Sequence, residues 1–234
     1  MFAIFKRELR SFYTTPIGFV FSGIVILLMN VGFYVMNVSV NESDVKPLFN
    51  LLLIGLAFIV PILTMRLLSE DKKLKTDQLL LTAPITVTDV VMGKFLAALA
   101  VFVISLVGTF LIPLVLAIYS VSEPWAIVGN YFAIISAASC FIAIGLFISS
   151  LTESQLVASI LSWAVLIGML FIDMVVATSE ILIFKVIIGW VSVFSRFSNF
   201  TYGLFDLSSI VYYLSVTLIF IFLTVRMVDK RRYA

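Results

Sequence analysis

The sequence predicts an all-α integral membrane protein with six transmembrane helices, and three observations predict it. Of 234 residues, 62% are hydrophobic and 12% charged, against roughly 25% charged in a soluble domain. Six stretches free of Asp, Glu, Lys and Arg, at 11–41, 47–65, 95–122, 124–152, 154–172 and 207–225, are each long enough to cross about 30 Å of hydrocarbon as a helix. Barrel strands would read as segments of about ten residues with alternating polarity, and the sequence lacks them.

Residues 2–13, FAIFKRELRSFY, place Phe2, Phe5, Leu9, Phe12 and Tyr13 at three- and four-residue spacing, with Lys6, Arg7, Glu8 and Arg10 on the opposite arc. This pattern predicts an amphipathic helix over 1–15, lying on the membrane surface. The apolar run that follows is too long for a cleaved signal peptide and no small-x-small site ends it, so it is expected to stay as an anchor. Pro16 suits the first turn of span 1, which runs to about Met36. After a short outer loop, span 2 covers about Pro47 to Leu68 and should kink at Pro61. Spans 1 and 2 thus fill 16–68.

The next segment, 69–93, gathers charge and then three leucines, Leu79 to Leu81. A solvated loop accounts for the charge but has no need of the leucines. A short helix with an apolar docking face accounts for both. Thr86 and Asp89 have capping-box spacing and should open a further helix that runs into Lys94. The segment therefore reads as helix, Pro84 turn, helix.

Spans 3 to 5 fill 94–177. Span 3 is expected over about Lys94 to Tyr119 and span 4 over Trp125 to Leu151, with Trp125 as an outer-interface anchor. In the turn SSLTESQ, Ser150 and Glu153 have capping-box spacing, which predicts a tight hairpin into span 5. The stretch from Ser179 to Asp206 is interrupted by Lys185 and too short for a crossing, so 178–206 is expected as a helical hairpin dipping into the outer leaflet. Span 6 follows over 207–227, and 228–234 is the tail.

Twelve of the fifteen Lys and Arg residues fall on the side of both termini and three on the other. The basic side faces the cytoplasm, which predicts a multi-pass protein of the cell (inner) membrane with both termini inside. The acids divide seven against six, as expected when Lys and Arg alone set orientation. A formal charge of +2 points to no nucleic-acid partner.

The chemistry available is narrow. There is no histidine, the commonest general base and metal ligand. Gly93-Lys94 is followed by Phe95, and Thr88 stands where a Walker loop needs glycine. No catalytic, cofactor-binding or metal residue is expected on this chain. Cys140 is the lone cysteine, which excludes intrachain disulfides. Asp173, near the outer end of span 5, is the best intramembrane ionisable candidate, for an interfacial role or a place in a substrate path. Ser154, Ala158 and Ser162 recur every fourth residue and SAASC lowers the bulk at 136–140, which lets helices approach within one chain or between two. Arg66 and Arg226, at inner helix ends, are expected to snorkel.

Four stretches carry a family resemblance: FKRELRSFYTTPIGFVF, MRLLSEDKKLKTDQLLLTAPITVTDVVMGKF, ISSLTESQLVASILS and FTYGLFDLSSIVYYLS. In succession they resemble ABC-2 type transporter permeases, and within that class the permease subunit of the gliding-motility type. The resemblance implies that the first helix, with Phe5, Lys6, Arg7, Glu8 and Arg10, is a connecting helix. It also implies that Glu70, Asp71, Lys72, Lys73, Thr76, Asp77, Gln78, Leu79, Leu80 and Pro84 couple to a separate ATPase. The chain has Lys75-Thr76 where the family commonly shows Gly-Thr. The implied partners are two copies of a cytoplasmic ABC ATPase, which would bind ATP and Mg, a second permease copy or close homologue, membrane lipid and a membrane-anchored accessory subunit. The implied function is ATP-driven export of a hydrophobic, lipid-like or peptide cargo. The alternative is an ATPase-independent channel or secondary carrier, which calls for ionisable groups at mid-depth in the bundle.

Overall fold

The computed structural model describes residues 1–40, 44–74, 86–112, 115, 124–178, 192–194, 196–197 and 207–230. Among these all regular structure is helical. Helix α1 spans Phe2–Thr14, and α2 spans Pro16–Phe33 and continues as a π-helical turn over Tyr34–Val38. Then follow α3 (Lys46–Thr64), the short α4 (Ser69–Lys73), α5 (Val87–Val107), α6 (Pro124–Leu151), α7 (Gln155–Thr178) and α8 (Leu207–Lys230). Six helical stretches, headed by α2, α3, α5, α6, α7 and α8, are long and apolar enough to cross a membrane. Helices pair most of their backbone groups within the segment, the condition that lipid imposes.

Helix α6 is the axis. Of its apolar window 78% is buried, against 61% for α3 and α5 and 22–28% for α2, α7 and α8. It packs against α3, α5, α7 and α8. Ala133, Ala137, Ala138, Cys140 and Ala143 are fully buried along it, so the small residues at 136–140 serve packing within the chain. At Gly145 a Cβ would fall on the Thr64 side chain of α3, so α3 and α6 approach closely here. Hydroxyl pairs join other helices: Ser105 Oγ donates to Ser22 Oγ at 2.9 Å, and Ser139 Oγ lies 3.3 Å from Thr217 Oγ1. Such bonds suit surroundings without water to compete for them.

Several expected boundaries move. Helix α5 starts at Val87, directly after the expected Thr86 cap, and runs through Lys94, which lies two turns inside it; it ends at Val107 in a turn at Gly108, short of the expected Tyr119. Thr86 caps it: its Oγ1 accepts from Asp89 N–H at 3.2 Å and donates to Asp89 Oδ2 at 2.7 Å. The aspartate therefore closes the box through the hydroxyl, being one methylene shorter than the usual Glu. The Ser150–Glu153 box does not form. Helix α6 continues to Leu151 and the Ser150 hydroxyl donates back to Phe147 C=O at 2.6 Å. Pro61 lies inside α3, where Ala57 C=O has no N–H to accept from, and Met65 N–H closes onto Pro61 C=O at 2.9 Å.

Helix α1 also departs from the expected two faces. Ile4 and Phe12 are buried against the bundle, whereas Phe2 is exposed. Glu8 turns inward instead of joining Lys6, Arg7 and Arg10 on the polar arc. With about 100° between successive residues, α1 shows three faces. Ile4, Glu8 and Phe12 turn into the protein, exposed Phe2 with half-buried Leu9 and Tyr13 forms an apolar side that still touches the core, and Lys6, Arg7 and Arg10 form a basic side.

Candidate functional site

The residues singled out by sequence converge at the end of the bundle that carries α1 and α4. The chain leaves α3 at Thr64, turns through 65–68 and forms the single-turn α4 with Glu70 and Asp71 in its first turn. Such a break strands backbone groups that need partners. Ser149 of α6 supplies them. Its Oγ accepts from Leu68 N–H at 3.2 Å and Ser69 N–H at 3.1 Å, and donates to Met65 C=O at 3.1 Å. The Lys72 ammonium donates to Ser150 C=O at the end of the same helix.

Two cations then tie α4 to other elements. Arg66 Nε pairs with Glu70 Oε2 at 3.1 Å, one turn on, and its other nitrogens donate to Thr15 Oγ1 at 2.8 Å and Ser11 Oγ at 3.0 Å. Its guanidinium also lies 5.5 Å from the centre of the Phe12 ring. Arg66 is thus held by partners on α1 and α4 and does not snorkel. Lys94, 2% exposed, pairs with Asp71 Oδ2 at 2.6 Å and Glu8 Oε1 at 3.1 Å. Glu8 is shared with the Arg7 guanidinium at 2.8 Å. A buried ammonium is tolerated only with such compensation, and removing one partner of a buried pair costs about 3–5 kcal/mol. A cavity of about 230 Å³ opens between these groups, with Arg7, Ser11, Arg66, Glu70 and Lys94 among its walls.

Of the predicted coupling residues, Glu70, Asp71 and Lys72 are therefore brought together with Glu8 and Arg7. Lys73 is exposed and Leu74 stands 63% exposed at the end of α4. Thr76, Asp77, Gln78, Leu79, Leu80 and Pro84 lie outside the described residues, as do Lys185 and most of the expected 178–206 hairpin. Phe5 is half-buried, and Lys6 and Arg10 are exposed.

Asp173 sits elsewhere. Its Oδ2 accepts from Phe194 N–H at 3.2 Å, and Tyr213 of α8 donates to Val193 C=O at 2.6 Å. Val193 and Phe197 are fully buried, and the Phe194 ring lies 5.4 Å from that of Phe141. Asp173 thus anchors a turn wedged among α6, α7 and α8. In α7, Ala158 and Ser162 are buried, and Ser154, just before the helix, is exposed, so the row at four-residue spacing meets protein over only part of its length.

Sequence reasoning missed the structural part of Lys94, Arg66 and Ser149. For Lys94 a signal existed. Once Thr86 is taken as a cap, Lys94 falls on the stripe of Val90, Val91, Ala98 and Val101, all buried, because residues three and four apart share a face. No local pattern could have named its partner Glu8, 86 residues away.

Comparison with family models finds that residues 2–228 match the one described as ABC-2 family transporter protein. No curated protein matches the chain.

Proposed function

We propose a role for this chain on the premise that the match supplies: the chain belongs to the ABC-2 transporter family and is a multi-pass membrane permease component of an ABC transporter. Permeases of this family generally work with a cytoplasmic ABC ATPase. On our reading, the segment that begins with α4 and runs through Leu81 docks on that ATPase. Two ATPase copies face two permease copies, by the twofold symmetry that is commonest among oligomers. Closure of the ATPase pair pushes on 70–84 and shifts the helices between an inward and an outward arrangement. Both termini then lie in the cytoplasm, and the work done is export of a hydrophobic, lipid-like or peptide cargo. The gliding-motility type, with its accessory subunit, remains the subclass we propose.

One observation carries this reading. A one-turn helix is too short to be stable alone, yet α4 is held at four points, by Arg66, Lys94 and Ser149 and, through its own Lys72, by Ser150 C=O. Its far end nevertheless offers exposed Lys73 and Leu74. A loop that merely turned the chain around would need no such fastening, whereas a lever that receives force does.

The test is a mild-detergent pull-down from native membranes. Glu70 and Asp71 are poor targets because both serve the internal ion pairs, so the variant reverses Lys73→Glu and Asp77→Lys. An ATP-binding protein should come down with the wild type and be lost with the variant. Its absence from a wild-type preparation that keeps other complexes intact would count against the docking role.

A further inference from the structure

Two cations at this end of the bundle each have two hands. Lys94, rooted in α5, holds Glu8 of α1 and Asp71 of α4. Arg66, rooted in the turn after α3, holds Ser11 and Thr15 at the end of α1 and Glu70 of α4. Glu70 and Asp71 are consecutive, so they leave α4 about 100° apart and each is taken by a different cation. The neighbourhood of Lys94 is shaped for its reach. A Cβ at Gly93 would come within 3.0 Å of Ile4 Cγ2, so α1 lies directly on α5 beside the ammonium. A buried lysine with a single carboxylate would already be compensated; a second one from another element makes it a junction.

We infer that Lys94 is a positioning residue that locks α1 to α4, so that displacement of α4 reaches α1 and α5 together. Its use in transmitting force rests on the function proposed above, whereas the lock itself does not. At 2% exposure little water can replace a lost carboxylate, and the low local dielectric strengthens both ion pairs. Departure of either α1 or α4 breaks one of the two ion pairs of Lys94.

Lys94→Met alone would strip Asp71 of its cation and leave Glu8 with Arg7 only, which endangers folding. The deciding variant is therefore the triple Glu8→Gln, Asp71→Asn, Lys94→Met, which removes all three charges at once. In a Cys140→Ala background, spin labels at Arg10→Cys and Lys73→Cys, both exposed positions, report the distance from α1 to α4 in lipid nanodiscs by double electron–electron resonance. The otherwise unaltered chain should give one narrow peak, Lys94→Arg should keep it, and the triple variant should lose it. An unchanged narrow peak in the triple variant would overturn the lock, because apolar packing would then suffice to hold α1 and α4.

Transmission is read in the complex with its ATPase, using a label at Val38→Cys on the opposite end of the bundle. ATP with vanadate should shift Val38 to Lys73 and Val38 to Arg10 distances in the otherwise unaltered chain, but only the former in the triple variant. A shift of both in the triple variant would contradict transmission through Lys94. The isolated-chain distance needs no motor protein, so it can fail while the pull-down succeeds, and the reverse.

Discussion

Ser149 shows what a single hydroxyl contributes at the residue scale. It answers two N–H groups and one carbonyl at the break between α3 and α4. Ser149→Ala leaves the two buried donors without it, at about 1–3 kcal/mol for an unsatisfied group, and should lower the thermal unfolding midpoint of the detergent-solubilised chain. An unchanged midpoint would mean that the break finds other partners. Thr86→Ala removes a cap and should cost about 0.5–2 kcal/mol in the same assay. The two differ in how far they could be read from sequence. The Thr86 cap is local, spelled by residues three apart, and was legible. Ser149 acts on groups about eighty positions away, and Arg66 looked like any arginine at a helix end until α1 brought Ser11 and Thr15 to it.

Among the elements, the six spans and α1 were legible because long apolar runs and helical periodicity are local properties. Their ends were less so. The start of α5 was spelled by the Thr86 cap, whereas its end, expected at about Tyr119, comes at Val107 in a turn at Gly108 that an apolar run does not mark. The inward turn of Glu8 was hidden because amphipathic periodicity sees two faces, and protein, lipid and water make three. Helix crossings were also out of reach. Gly145 carries no mark in sequence, yet a side chain there would meet Thr64. Gly145→Val should force α3 from α6 and destabilise by about 1–3 kcal/mol. Adding Thr64→Ala should recover part of that loss in thermal unfolding, whereas equal loss in single and double variants would place the strain elsewhere.

For the whole molecule, the charge asymmetry and the bundle point to one working end. Helices α2, α7 and α8 leave most of their apolar surface uncovered, as suits helices that meet lipid. At the other end of the bundle, Asn37 donates to Asp44 C=O at 2.9 Å and closes the connection from α2 to α3. That end holds no helix comparable to α4 among the described residues. The asymmetry fits the proposed division of labour, in which force is received at the α4 end and cargo is handled within the bundle. The family was legible from the order of its loose motifs. The coupling residues from Thr76 to Pro84 rest on that resemblance alone. The most direct measurement is site-specific photo-crosslinking in native membranes, with the photoreactive group placed at exposed Lys73 and, in a second preparation, at exposed Asp44. We predict that Lys73 captures an ATP-binding protein and Asp44 does not; capture from Asp44 but not from Lys73 would contradict both the docking role of α4 and the orientation.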